Sequence, residues 1–286
     1  MAKTLSRLVY FCLLTRASSL RPLTPITLSL AKTKLQGRAM STTTGGAADD
    51  SMGKADIGNT ASAGNNYATD EAEKSWRQRI QISSDRSRKV RGSNYVQIAT
   101  VDHETNAPRC RTVVFRGFQD LPEGHLLSNR CSDMSCVMKM ITDSRSQKVR
   151  EVTNHPDSAA ELVWWFPKTS EQYRVSGKLL FIGAGAFTHD PDEALQAARK
   201  QQWGNLSDSA RESFLDTQIP GGSYSGKPSE VPSGGRDEDG KVVPPPDNFL
   251  LMLLFPKSVD FLRLTNMYKQ ADNLQDGNWS MQRLNP

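Results

Sequence analysis

The sequence runs to 286 residues, with 36 Lys and Arg against 31 Asp and Glu and a formal net charge of +5. Seven of the cations and none of the acids lie in residues 1–40, which leaves 29 cations against 31 acids in the rest. The basic balance therefore belongs to the leader, and the remainder carries no electrostatic footprint for nucleic acid.

Residues 1–40 combine Lys, Arg, Ser and Thr without Asp or Glu, the composition of an organelle-import presequence for mitochondrion or plastid. Their apolar run, residues 8–14, is too short to span a bilayer, so no membrane association is expected. Residues 41–70 are Gly, Ala, Ser, Thr and Asn with almost no large apolar side chain, which predicts a disordered linker. The folded part is expected over residues 71–286, long enough for one domain with a sizeable core.

Within it, residues 75–91 read as a charged, mildly amphipathic helix. Residues 95–101 (YVQIATV) alternate like a strand, 102–109 form a polar turn and 110–118 a second strand, so the two pair as a hairpin. A short strand is expected near Leu126, and residues 129–140 fit either period. Residues 148–153 read as a helix that Asn154-His155-Pro156 ends. Strands follow at residues 158–166, which close on Trp164-Trp165-Phe166, and at 172–182. Helices are expected over 190–203, opened by Pro191, and over 207–215, capped by Ser207. Residues 219–246 form a long loop of Gly, Pro, Ser and charge. Its Gly221-x4-Gly226-Lys227-Pro228 run mimics a P-loop, yet lacks both the Ser or Thr for magnesium and the strand–helix frame. Residues 249–255 (FLLMLLF), between Pro246 and Pro256, read as a fully buried strand. Strands at 259–264 and 279–284 complete the set. Many short strands in hairpin order with few helices predict a mainly β fold, an antiparallel barrel with peripheral helices.

The chemistry concentrates in two runs. In residues 111–118 (RTVVFRGF) an apolar stretch is bracketed by the guanidinium groups of Arg111 and Arg116. In residues 142–148 (TDSRSQK) hydroxyls and cations crowd into seven positions where another apolar run ends. A strand-end Arg and a turn bearing Thr142, Ser146 and Lys148 suit an anionic phosphate: charge-assisted bonds supply affinity and hydroxyls fix orientation. The same runs also read as an edge strand and a solvated turn. No metal site is expected, because Cys110, Cys131 and Cys136 form no CxxC and His103, His125, His155 and His189 are scattered.

The ordered set of a helix opened by Trp76, then YVQIATVD, RTVVFRGF, TDSRSQKV, ELVWWFPKTSEQYRVSGK, WGNLSDSAR from Trp203, FLLMLLFPKSVDFLRL and the terminal WSMQRLNP resembles the pyridoxamine 5'-phosphate oxidase-like flavoproteins. The resemblance covers residues 71–286. It implies an antiparallel split β-barrel homodimer with FMN at the subunit interface. It also implies FMN contacts from Arg111, Thr142, Ser146, Gln147, Lys148 and Gln172, and from backbone groups of Val113, Val114 and Phe115 along the polar edge of the ring. Arg116 is implied to face substrate. Gln147 stands where the family has Arg, with Arg145 beside it to restore the charge.

The C-terminal part departs from the pattern. Leu262 stands for a flavin-side Trp, and Tyr268-Lys269-Gln270 for an R-x-H that grips the vitamer; Lys269, Arg116 and Arg211 are the cations available to substitute. The implied reaction is oxidation of pyridoxamine or pyridoxine 5'-phosphate to pyridoxal 5'-phosphate with O2. The departures keep two alternatives open, an FMN-dependent oxidoreductase on another substrate and a non-catalytic flavin-binding protein. No catalytic side chain is singled out. Trp164 and Trp165 read as core and interface packing. Arg174 is as consistent with an exposed cation as with a ligand contact, and Arg283 with a dimer-interface pair.

Overall fold

The computed structural model describes residues 74–286 apart from 123, 130–132, 155–156, 158, 185–191, 225 and 227–228. All of these lie in the compact unit of residues 54–286. The presequence and linker expected over residues 1–70 fall outside the described residues, as does Pro191.

Helix α1 (Trp76–Ser87) starts at a reciprocal cap. The Ser75 hydroxyl accepts from the Gln78 N–H, and the Gln78 side chain accepts from the Ser75 N–H, so two otherwise orphaned donors are satisfied. It is followed by strands β1 (Tyr95–Asp102), β2 (Ala107–Val114), β3 (Phe118–Gln119) and β4 (Val137–Asp143), then helix α2 (Gln147–Thr153). Strands β5 (Ala159–Phe166) and β6 (Glu171–Ile182) come next, then helices α3 (Glu193–Gly204) and α4 (Asp208–Leu215). Strands β7 (Phe249–Arg263), β8 (Tyr268–Gln275) and β9 (Asn278–Leu284) end the chain.

All pairings are antiparallel. The strand order is β2-β1-β5-β6-β7-β4-β3, with β8 and β9 running on from the far half of β7. The chain itself closes the barrel. Phe115 N–H still donates to Asn94 beside β1, while one residue later Arg116 N–H donates to Lys139 on β4, both at 2.8 Å. Residues 115–117 thus cross from one end of the sheet path to the other.

The interior is filled by alternate residues of these strands. Val96, Ile98, Met138, Met140, Leu162, Trp164, Phe166, Tyr173, Val175 and Phe261 are all buried and form one cluster. Trp164 is in the core, its indole N–H donating to Ser93 O at 2.7 Å, whereas Trp165 is 41% exposed on the opposite face. Helix α2 lays Val149 and Val152 onto the same cluster.

Three sequence expectations are corrected. Leu126 begins a 3-10 turn (Leu126–Asn129), not a strand. The two strands expected on either side of Pro256 are one, β7, because β7 bulges at Lys257, opposite the Ser176–Gly177 step of β6, and no ladder N–H is demanded of the proline beside it. Strand β8 was not foreseen at all. Its sequence, YKQADNLQ, has no apolar alternation, since its buried side is polar: Tyr268, Gln270 and Asp272. Of residues 129–140, which fit either period, Asn129 closes the turn from Leu126, Met134–Cys136 form a second 3-10 turn and Val137 opens β4.

Candidate functional site

The phosphate-type residues meet at one corner of the barrel, where β2, the end of β4 and the start of α2 converge. On β4 the side chains of Met138, Met140 and Thr142 share the interior face. Thr142 is the last of them, 4% exposed. The turn after β4 brings Ser146 back, its hydroxyl 3.3 Å from that of Thr142 and donating to Asp143 O at 2.7 Å. Lys148 then reaches over both, donating to Thr142 Oγ1 at 2.9 Å and to Ser146 Oγ at 3.2 Å.

Arg111 enters from β2. Its side chain lies on the interior side with Val113 and Phe115, which pack against the core. It donates through Nη2 to Glu151 of α2 at 2.8 Å and through Nη1 to Thr100 Oγ1 and to Arg109 O. Burial, and then the adjacent Arg111 guanidinium, hold the Lys148 ammonium below the usual lysine value. The corner therefore contains two cations, three hydroxyls (Thr100, Thr142 and Ser146) and one carboxylate, Glu151, which is already bonded to Arg111, while nearby Asp143 is paired with Arg145. Its positive charge is in surplus, an arrangement that an anion stabilises.

Other expected site residues are placed differently. Arg145 does not restore the charge missing at Gln147. It is clamped on Asp143, with contacts of 2.7–3.2 Å, and donates to Asp216 O at 2.7 Å. Although burial works to raise it, the hydrogen bonds from Arg145 and Asn248 keep the Asp143 carboxyl below its usual range. Gln147 is exposed and lines a cleft of about 270 Å³ with Asp102, His103, Arg150 and Glu151. Arg211, expected at the substrate, is 2% exposed and ties α4 to its surroundings. It donates to Leu206 O at 2.6 Å, to Gly234 O at 2.8 Å and to Asp208, so its donors serve the fold.

Of the three backbone positions expected along a ring edge, Val114 is the open one. Phe115 N–H is spent on Asn94. The antiparallel alternation then turns Val113 toward β1 and leaves the N–H and C=O of Val114 pointing outward. Arg116 follows directly. It forms no ion pair among the described residues, and its Nε is buried without a partner.

Gln172 lies on the outer face of β6, opposite to Tyr173 and Val175, next to Trp165 and Leu262 in the register. One chain alone does not bring it to the Thr142 corner. Arg174, on that same face, is taken by Glu161 at 2.9 and 3.0 Å. Arg283 stacks over the Tyr268 ring at 3.7 Å.

The positions of the R-x-H are internal. Tyr268 Oη donates to Gln270 Oε1 at 2.7 Å, and Gln270 Nε2 donates to both Asp272 oxygens at 3.0 and 3.1 Å. Asp272 accepts from Arg79 of α1 at 2.5 Å. This buried chain fastens α1 to β8. Glu151 and Thr100 escaped the sequence reading. The signal available was the spacing Lys148–Glu151, three residues on one short helix, which puts both on one face.

The chain is similar to known proteins over this whole region. Residues 73–183 match the family model for the FMN-binding domain of pyridoxamine 5'-phosphate oxidase. A pyridoxine/pyridoxamine 5'-phosphate oxidase 2 of Arabidopsis thaliana is 30% identical over 216 residues, 74% of this chain and 96% of the relative. A crystal structure of a pyridoxamine 5'-phosphate oxidase-related, FMN-binding protein from Nostoc punctiforme superposes with a TM-score of 0.57 at 32% identity. That match covers 74% of this chain and 98% of the other. PhzG of Burkholderia lata, solved with tetrahydrophenazine-1-carboxylic acid, shares the fold at a TM-score of 0.50 and 17% identity. Here the coverage is 73% of this chain and 90% of the other.

Proposed function

We propose that this chain, which belongs to the pyridoxamine 5'-phosphate oxidase-like FMN-binding family, is an FMN-dependent oxidase that converts pyridoxamine or pyridoxine 5'-phosphate to pyridoxal 5'-phosphate with O2. The cofactor is FMN. The observation that carries the reading is the corner itself. Lys148 donates to two hydroxyls and to no carboxylate among the described residues, while Arg111 beside it spends three of its five N–H donors. A dianionic phosphate supplies the missing negative charge.

When bound, FMN supplies a ring that takes up a hydride from the substrate carbon and returns the electrons to oxygen. The residues of this chain bind and orient. Arg111, Lys148, Thr142 and Ser146 hold the phosphate, and the outward N–H and C=O of Val114 meet the polar edge of the ring. Arg116, buried at Nε without a partner, presents its guanidinium to an anionic group of the substrate. Gln172 reaches the flavin from a second copy, so the active form is a homodimer joined across the outer sheet face. Trp165 and Tyr95, 41% and 51% exposed, lie on that face. Continuing the register Gln97↔Val163 brings them opposite each other.

A second reading rests on Tyr268 and Gln270. With both side chains locked into the Asp272–Arg79 network, the second cationic clamp on a vitamer phosphate is missing, which favours an FMN-dependent reaction on a different substrate. Adding pyridoxamine 5'-phosphate to the yellow protein without oxygen separates the readings. Bleaching of the flavin spectrum is expected for the B6 oxidase. An unchanged spectrum with FMN in place overturns that substrate and favours the second reading.

A further inference from the structure

Glu151 is a poor candidate for a stabilising residue. It is 4% exposed, and its Oε1 is buried without a hydrogen-bond partner among the described residues. A buried carboxylate with one oxygen unsatisfied costs free energy, and a buried ion pair seldom repays its own desolvation.

Its other oxygen is fully used, in a specific way. Oε2 accepts from Arg111 Nη2 at 2.8 Å and from Thr100 Oγ1, and that Thr100 oxygen accepts from Arg111 Nη1. Carboxylate and hydroxyl are therefore bonded to each other and to the two terminal nitrogens of one guanidinium. They occupy its end edge as a ring. Arg109 O takes the remaining Nη1 donor. What is left is the side edge, Nε–H with the second Nη2–H, two parallel donors of the geometry that a phosphate accepts bidentately.

We infer that Glu151, with Thr100, is a positioning residue for the cofactor phosphate: it fills the end edge of Arg111 so that the side edge faces the phosphate beside Lys148. Without it, Arg111 keeps only the neutral acceptors Thr100 Oγ1 and Arg109 O against the repulsion from Lys148. Arg111, 22% exposed at its side chain, would swing toward solvent. Glu151 touches neither cofactor nor substrate in this role. The inference rests on the FMN reading given above, since it concerns the same corner.

The test compares FMN with riboflavin, which has the same ring and ribityl chain and no phosphate. Dissociation constants for both are measured by quenching of flavin fluorescence on cofactor-free wild type, Glu151→Gln and Glu151→Ala. A positioning role predicts that FMN binding weakens about tenfold or more in Glu151→Ala, by the loss of one oriented charge-assisted pair. Glu151→Gln, which keeps an acceptor for Arg111, should fall between wild type and Glu151→Ala, while riboflavin binding is unchanged in both. If Glu151→Ala fails to fold, the Glu151→Gln ratio of FMN to riboflavin affinity decides. Equal loss for both flavins, or unchanged FMN affinity in the variants, overturns the inference. Failure of wild type itself to bind FMN overturns the cofactor reading instead.

Discussion

At the scale of single residues, Lys148 is the most informative side chain. A half-buried lysine that neighbours an arginine and, among the described residues, bonds only to hydroxyls is set up for an anion that arrives from outside. Lys148→Met keeps the volume and removes the charge. It should weaken FMN binding by about 10- to 100-fold, the worth of one hydrogen bond to a charged group, and leave the thermal unfolding midpoint close to wild type. The sign of the pH effect follows from the same environment. Burial, and then the Arg111 guanidinium, lower the folded-state pKa of Lys148, so it loses its proton earlier than a free lysine as the pH rises. FMN affinity should therefore fall on the alkaline side before pH 10.5 is reached. The phosphate is already fully ionised there, and the flavin N3–H, which also titrates in the alkaline range, affects wild type and variant alike, so the Lys148 share of the decline is the difference between them. Fluorescence titrations across the alkaline range should show that share in wild type and not in Lys148→Met.

At the scale of elements, the barrel depends on how β6 and β7 pass Pro256. A Cβ placed on Gly177 would lie 2.1 Å from Phe255 O and 2.9 Å from its carbonyl carbon, both backbone atoms. Gly177→Ala must push two central strands apart, and about 1–3 kcal/mol of destabilisation is expected from such overpacking. A lowered unfolding midpoint by calorimetry checks this, and a wild-type midpoint contradicts it.

The same elements explain what the sequence could and could not reveal. YVQIATV and FLLMLLF were legible as strands because their apolar period matches the face they bury. The phosphate corner was legible because Arg111, Thr142, Ser146 and Lys148 are of the residue types that phosphate needs. Strand β8 was not, since its buried face is a polar chain whose partner, Arg79, is 193 positions from Asp272. Arg145 and Arg211 looked like ligand cations because charge is visible in a sequence and the acceptors that consume it are not.

At the scale of the whole molecule, the two faces of the sheet divide the work. The inner face carries the core and the Arg111–Lys148 corner; the outer face carries Gln172, Trp165 and Tyr95. A single chain places the expected flavin contacts on both sides of its sheet, which a second copy reconciles. We therefore expect residues 71–286 to have twice the monomer mass by light scattering. Trp165→Glu, which puts a charge in that face, should shift the protein toward monomer and lower FMN retention together. A monomeric wild type that holds FMN tightly would contradict the dimer.

The most direct test of the phosphate corner is a crystal structure of the FMN-loaded protein. A phosphate group is expected within hydrogen-bond distance of Lys148 Nζ, the Thr142 and Ser146 hydroxyls and the Nε side of Arg111, with Glu151 still on the end edge. A phosphate bound elsewhere, with Lys148 and Arg111 left on their present partners, would contradict it.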